Sequence, residues 1–87
     1  MEKCLNYNIT NVEYMKTRGA GLAEIVKDWL GENGIDALVY DFVLGDNASF
    51  IIDYNFDENV SENKIKGLVE QIFERFNIPY ELEKIEE

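Results

Sequence analysis

The chain of 87 residues is long enough for one hydrophobic core and too short for two, because a domain of this size hides only roughly 60% of its unfolded surface. Hydrophobic residues make up 46% of it, which excludes a disordered chain and removes the need for a stabilising metal or disulfide. Acidic residues outnumber basic ones by 18 to 8, giving a net charge of −10, so direct binding to nucleic acid or to an anionic membrane is disfavoured by repulsion. We expect a single acidic α/β domain over residues 1–87.

The N-terminus and the cysteine content favour a cytoplasmic protein. Residues 1–6 lack the basic segment followed by an apolar run that marks a secretory signal, and no stretch reaches the ~18 apolar residues of a membrane span. Cys4 is the one cysteine, so no internal disulfide can form and nothing in the sequence requires an oxidising compartment.

The first half of the chain predicts a strand and then a helix. Hydrophobic and polar residues alternate from Leu5 to Thr10, which is the pattern of a half-buried strand. Apolar residues with helical spacing follow at Leu22, Ile25, Val26, Trp29 and Leu30. Gly34 stands where a helix C-terminus favours a residue of positive φ.

The second half predicts a β-hairpin, a second helix and a short last strand. Residues 38–44 and 50–56 alternate on either side of Gly45-Asp46-Asn47, as two strands joined by a turn do. Helical spacing resumes from Ile65 to Phe76, with Asn59 or Ser61 as the N-cap and Pro79 preventing continuation. Residues 80–83 alternate again as the last strand.

The order β-α-β-β-α-β predicts a ferredoxin-like plait, a four-stranded antiparallel sheet with two helices on one face. In this prediction Leu38, Tyr40, Phe42 and Leu44 point into the core. The opposite, open face of the sheet is then polar and acidic. Its expected residues are Asn6, Asn8, Thr10, Val39, Asp41, Val43, Ile51, Asp53, Asn55, Glu81 and Glu83.

Catalysis is not predicted, because the chain has no histidine and so lacks the commonest general base and zinc ligand. The best carboxylate pair is Asp41 and Asp53. If Phe42 pairs with Ile52, the two aspartates stand opposite each other, where like charges destabilise a sheet unless a cation or a positive partner binds them. A register shift of two residues separates them, and an enzyme based on this pair is a minor alternative.

Residues 53–57 match the start of a calcium-binding loop only in part, so the sequence does not predict a calcium site. Residues 53–57 place oxygen ligands at alternate positions, like the start of a calcium loop. Glu58 replaces the turn glycine, and Lys64 stands where the bidentate glutamate belongs. We expect neither a metal nor a cofactor.

Three carboxylates on the first helix form the feature that we call the acidic ridge: Glu24, Asp28 and Glu32. Like charges four residues apart cost a helix roughly 0.2–0.5 kcal/mol per pair. Their spacing of about 6 Å is of the same order as the spacing of phosphates along a nucleic-acid strand. The ridge therefore predicts a mimic of a phosphate backbone that binds a basic protein surface, such as that of a nucleic-acid enzyme. The alternative interpretation is that the three carboxylates form a solvated helix face that only keeps the protein soluble.

The leading hypothesis is thus a non-catalytic inhibitor or adaptor that binds its partner through acidic side chains. The partner-binding residues are predicted to be Glu24, Asp28, Glu32, Asp36, Glu70 and Glu74. In size, charge and element order, though not in any motif, such a chain is similar to small phage-encoded inhibitors of CRISPR or restriction enzymes.

A second hypothesis starts from Lys16 to Gly21, the basic, glycine-bearing stretch before the first predicted helix. Unpaired backbone N–H groups and the helix dipole suit such a place to a small anion, and the candidate residues are Lys16, Arg18, Gly19 and Gly21. The plain alternative is a flexible connection that carries two cations.

The segments Gly21–Val26 and Trp29–Asp36 resemble the first helix of an ACT domain, with a glycine that opens the helix and a Gly-Ile exit at residues 34–35. The resemblance implies a regulatory module, often dimeric, that binds an amino acid near the first strand-to-helix loop. The matching positions are Arg18, Gly19, Ala20, Gly21, Gly34 and Ile35.

Overall fold

A computed structural model describes residues 2–55 and 61–83 of the chain. The elements run in the predicted order: β1 Glu2–Ile9, α1 Val12–Glu32, β2 Ala37–Leu44, β3 Asn47–Asn55, α2 Glu62–Arg75 and β4 Tyr80–Glu83. The strands form one antiparallel sheet in the order β2-β3-β1-β4, with the helices packed on one face. This is the ferredoxin-like plait, and the predicted fold class is confirmed.

Helix α1 begins well before the predicted start. Asn11 is its N-cap, and the side-chain oxygen of Asn11 accepts a hydrogen bond from the backbone N–H of Tyr14 at 3.1 Å. Gly19 and Met15 are buried about one and two turns before Leu22, so the apolar face of the helix extends back toward β1. The prediction that residues 16–21 are a connection leading into a helix N-terminus is therefore wrong.

Both helices end in a Schellman motif. In α1, Gly34 has a φ of +78°, and the N–H of Ile35 donates to the carbonyl of Leu30 at 2.9 Å. In α2, Asn77 takes the same place with a φ of +56°, and the N–H of Ile78 donates to the carbonyl of Phe73 at 2.8 Å. The residue after each turn is buried, which turns the chain back onto the sheet.

The core lies between the sheet and the helices. Phe73 of α2 packs edge to face on Tyr7 of β1 and on Phe50 of β3, with ring centroids 5.3 and 5.7 Å apart. Such pairs contribute beyond the area that they bury. The alternation correctly predicts the buried residues Leu5, Tyr7, Ile9, Phe50, Ile52 and Tyr54 of the two central strands, and Ala48 of β3 is buried as well.

Strand β2 has the opposite orientation from the predicted one. It lies at the edge of the sheet, and a two-residue turn at Gly45 and Asp46 joins it to β3, with Leu44 opposite Asn47. Gly45 has a φ of +60°, as the first residue of a type II′ hairpin turn requires. This turn places Asp41 opposite Phe50, three residues away from the predicted pairing with Asp53. An odd shift reverses which face each side chain occupies.

The helix side of β2 therefore carries Ala37, Val39, Asp41 and Val43, which are buried or half-buried. The open face of the sheet carries Leu38, Tyr40, Phe42 and Leu44, which are 51%, 47%, 55% and 71% exposed. We call these four residues the apolar stripe. The prediction that they belong to the core is wrong, and so is the placement of Val39, Asp41 and Val43 on the open face.

The described part of the chain contains no helix that combines the length and the apolar character needed to cross a membrane. Several predicted features lie outside the described residues: Phe56 of the third strand, Asp57 and Glu58 of the calcium-like segment, and the alternative N-cap Asn59. The N-cap of α2 is Ser61, whose side chain accepts from the N–H of Lys64 at 3.1 Å.

Candidate functional site

The acidic ridge lies on the solvent side of α1. Glu24, Asp28 and Glu32 are all exposed. At 100° of rotation per residue they lie opposite the buried face of the helix, which consists of Met15, Gly19, Leu22, Ala23, Val26 and Leu30. The ridge thus points directly away from the sheet.

No ridge carboxylate is neutralised within the described part of the chain. The salt bridges there join Lys16 to Glu13 at 3.6 Å and Lys66 to Glu62 at 3.8 Å. Because like charges four residues apart destabilise a helix, the ridge keeps an unfavourable arrangement, and the nearby Lys27 forms no salt bridge with it among the described residues.

A shallow depression of about 630 Å³ lies where α1 turns into β2. Asp28 and Glu32 line it together with Asp36 and Lys27. The structure thus brings Asp36 beside Asp28 and Glu32, at the C-terminal end of the ridge. The excess of carboxylates over the one lysine makes the depression an extension of the acidic surface.

Glu70 and Glu74 lie on the other helix, α2. Glu74 is exposed, but Glu70 is half-buried and accepts hydrogen bonds from the hydroxyls of Tyr80 at 3.0 Å and Tyr7 at 3.3 Å. Burial, followed by the charge of Glu70 and its hydrogen bond, raises the pKa of Tyr7. The carboxylate of Glu70 is therefore engaged in hydrogen bonds within the fold, unlike the ridge carboxylates.

Asp41 and Asp53 do not form a pair. Asp41 faces α1 at Gly19, where a Cβ added to the glycine would lie 2.9 Å from Oδ2 of Asp41. Asp53 stands opposite Leu38 on the open face of the sheet. The predicted cross-strand pair is wrong because the hairpin register places the two carboxylates on opposite faces of the sheet. They therefore do not form the carboxylate pair on which the enzyme alternative was based.

The candidate small-ligand residues Lys16, Arg18, Gly19 and Gly21 lie within α1. Their backbone N–H groups are past the first turn, so they are engaged in the helix and are not available to an anion. Lys16 pairs with Glu13, and Gly19 is buried. The exposed helix N-terminus on which the small-carboxylate hypothesis rested is therefore absent from this position.

No group of three or more potential metal ligands of the histidine, cysteine, aspartate or glutamate type occurs in residues 2–55 and 61–83. The described residues thus contribute no constellation for metal chemistry. What they contribute are two surfaces, the acidic ridge on the helix layer and the apolar stripe on the open sheet face.

Sequence reasoning missed the apolar stripe. Tyr40 stands opposite the half-exposed Ile51 and Phe42 stands opposite Ser49, whereas Leu38 at the end of the stripe stands opposite Asp53. The signal that could have found it is the Gly45-Asp46 turn. A two-residue loop opening with glycine is the commonest kind of hairpin connection, and counting outward from it places Asp41 opposite Phe50.

The element order alone identifies no activity, because ferredoxin-like plaits serve many unrelated functions. Any conclusion about function must come from the surfaces of this chain. No protein-family model, curated protein or solved structure matches it.

Proposed function

We propose that the protein is a non-catalytic binding module or inhibitor. Its acidic ridge occupies the basic surface of a nucleic-acid-binding protein in place of the phosphate backbone, as anti-CRISPR and anti-restriction inhibitors do. The observation that carries the proposal is the ridge itself, three exposed carboxylates on one helix face that pair with no described cation.

The rigidity of α1 supports this proposal. The helix is 21 residues long and is anchored by six buried residues along its other face, so the backbone that carries the carboxylates is held in place before a partner arrives. A preorganised backbone reduces the conformational freedom that is lost on binding. The spacing of about 6 Å between successive ridge positions follows from four residues at about 1.5 Å of rise.

The distribution of charge supports it as well. Asp36 lies beside Asp28 and Glu32 around the depression, which extends the acidic field past the end of the helix. A net charge of −10 steers the chain toward positive surfaces and away from nucleic acid. The partner of this proposal is therefore a basic protein, encountered in the cytoplasm.

Reversal of the ridge tests the proposal. The triple variant Glu24→Lys, Asp28→Lys and Glu32→Lys should lose the partner and keep its fold, because all three side chains are exposed. The variant Asp46→Lys, Glu62→Lys and Glu81→Lys is the matched control, since it makes the same change in charge at three exposed positions elsewhere.

The immobilised natural chain should capture basic proteins from a nuclease-treated lysate, and both raised salt and added duplex DNA or RNA should release them. Release by salt is expected because exposed charges are screened within about 10 Å at 0.1 M. The ridge variant should capture none of these proteins and the control should capture them all. Equal capture by the ridge variant, or failure of nucleic acid to compete, would contradict phosphate mimicry.

A further inference from the structure

The edge strand β2 combines two features that leave a folded chain open to association. It is eight residues long, and within residues 2–55 and 61–83 it has a neighbouring strand, β3, on one side only. Its open-face side chains are the apolar stripe, whose members are all about half exposed or more. A long, apolar edge strand pairs readily with another strand unless something covers it.

The sequence of β2 indicates what covers it. Residues 38–44 read Leu-Val-Tyr-Asp-Phe-Val-Leu, which is the same in both directions apart from the exchange of tyrosine for phenylalanine. An antiparallel pair of identical strands has a two-fold axis, and an axis at Asp41 places Leu38 opposite Leu44, Val39 opposite Val43 and Tyr40 opposite Phe42. A two-fold interface requires this kind of self-complementarity.

We propose that β2 pairs with β2 of a second copy of this chain about a two-fold axis at Asp41, which joins the two sheets into one of eight strands. On the open face, aromatic residues then meet aromatic residues and leucines meet leucines, as favourable cross-strand pairs do. On the helix face, valines meet valines. The unpaired N–H and C=O groups of each edge find partners in the other copy.

The area buried by such an interface is small. Edge-to-edge pairing covers the backbone edge of β2 and the flanks of the stripe side chains, and it leaves the open face of the stripe in solvent. The interface therefore falls below the roughly 1,200 Å² at the lower end of specific interfaces. We therefore expect a reversible dimer.

The charges limit association to two copies. The acidic ridge lies beyond the helix layer, on the other side of the sheet from the stripe, so it does not enter the interface. The opposite edge strand, β4, has four residues and carries the exposed Glu81. A short, charged edge resists further pairing, so the dimer is closed and does not grow into a fibre.

One contact in this arrangement is unfavourable, and it offers a test that distinguishes this interface from any other. Asp41 lies on the axis and meets Asp41 of the second copy, and like charges directly opposite destabilise a strand pair. Asp41→Asn keeps the shape of the side chain and removes the repulsion. It should tighten the dimer severalfold, whereas an interface elsewhere on the molecule would be indifferent to this change.

Sedimentation equilibrium between about 1 and 300 µM tests the proposal, a range that brackets the affinity of a modest interface. The natural chain should approach twice its mass of 10.1 kDa as its concentration rises. Tyr40→Lys with Phe42→Lys should weaken the dimer at least tenfold. Ile25→Lys with Phe76→Lys, at two apolar residues of the helix layer that are 44% and 43% exposed, makes the same change in charge, and this matched control should leave the dimer unchanged.

A cysteine on the axis tests the register. In a Cys4→Ser background, Asp41→Cys should form a disulfide between two copies when oxidised glutathione is added, because only the axial residue meets itself. Val43→Cys, on the same face two residues away, should not, since its Cα would lie beyond the ~7 Å limit for a disulfide.

A natural chain that stays monomeric at every concentration overturns the proposal and leaves the stripe to a different protein partner. Equal dimerisation of the Tyr40→Lys, Phe42→Lys variant also overturns it, as does unchanged affinity in Asp41→Asn. The lysine variants of the ridge should dimerise at least as well as the natural chain. The capture experiment and the sedimentation experiment therefore distinguish failure of the proposed function from failure of the dimer.

Discussion

Glu70 shows how the surroundings of one carboxylate decide its role. The sequence analysis placed it in the partner-binding set with the ridge, but it accepts hydrogen bonds from two tyrosine hydroxyls and is half-buried. Tyr7 is fully buried, and its hydroxyl is satisfied by Glu70, as a buried polar group requires. This residue holds β1, β4 and α2 together, so it stabilises the fold and contributes little to the acidic surface.

The raised pKa of Tyr7 predicts a loss of stability at high pH. Unfolded tyrosine loses its proton near pH 10, whereas Tyr7 in the folded chain keeps its proton to higher pH, chiefly because it is buried and also because Glu70 is near. The stability that this difference provides is complete below pH 10 and is lost as the pH rises further, at up to about 1.4 kcal/mol per pH unit.

Urea unfolding at several pH values between 8 and about 11.5, chosen to cross the usual tyrosine pKa, measures this effect. Tyr7→Phe keeps the ring against Phe73 and removes the hydroxyl, so its stability should fall less steeply above pH 10. Identical slopes for the two chains would show that Tyr7 does not cause the decline.

At the scale of the element, α1 is distinguished by a close approach to the sheet. Gly19 is buried against Asp41 of β2, where an added Cβ would lie 2.9 Å from Oδ2 and 3.3 Å from Cβ of Asp41. Gly21, two residues later, has nothing within 4 Å of that position. The two glycines of the candidate ligand stretch therefore differ: close packing requires a glycine at position 19 but not at position 21.

Alanine substitution separates the two glycines. Gly21→Ala should stabilise the fold by about 0.5–1 kcal/mol, because alanine is a better helix former than glycine. Gly19→Ala should destabilise it by roughly 1 kcal/mol, since overpacking outweighs the gain in propensity. Urea unfolding measures both effects. The penalty at Gly19 should shrink in an Asp41→Ala background, because the effects of substitutions at contacting residues are not additive. Stabilisation of equal size at both positions would contradict the close packing.

At the scale of the whole molecule, the acidic ridge and the apolar stripe lie on opposite sides of the sheet. The ridge points outward from the helix layer, and the apolar stripe faces outward from the other side of the sheet. A dimer through β2 would leave two ridges exposed. It would thus present two copies of the acidic surface to one partner or to two.

The net charge of −10 predicts that salt stabilises the fold. Repulsion among carboxylates acts over about 30 Å at 0.01 M salt and over less than 10 Å above 0.1 M. Relief of the two like-charge contacts within the ridge alone amounts to roughly 0.4–1 kcal/mol. The free energy of unfolding should therefore rise by about that amount in sodium chloride.

The control is the neutral ridge variant Glu24→Gln, Asp28→Asn and Glu32→Gln, whose stability should start higher and respond less to salt. Thermal or urea unfolding at low and high sodium chloride measures the difference. A natural chain whose stability is independent of salt would show that the ridge is not under electrostatic strain.

Local pattern was sufficient for the order of the elements, the inward faces of β1 and β3, the buried face of α2 and the turn at Gly34. In each of these segments one set of residues is clearly apolar and the other polar, so the period identifies the face. The start of α1 was missed because Val12 to Gly21 mixes charged residues and glycines over an apolar face of only a few residues.

By itself the sequence determined the fold class, the acidity and the position of the ridge, because these depend on composition and on local periodicity. Only the tertiary structure decided the face of β2. Both of its alternating sets are apolar, Leu38 and Phe42 on one side and Val39 and Val43 on the other, so hydrophobicity does not choose between them. The two-residue turn and the close packing of α1 over Asp41 make that choice, and they place the apolar stripe in solvent.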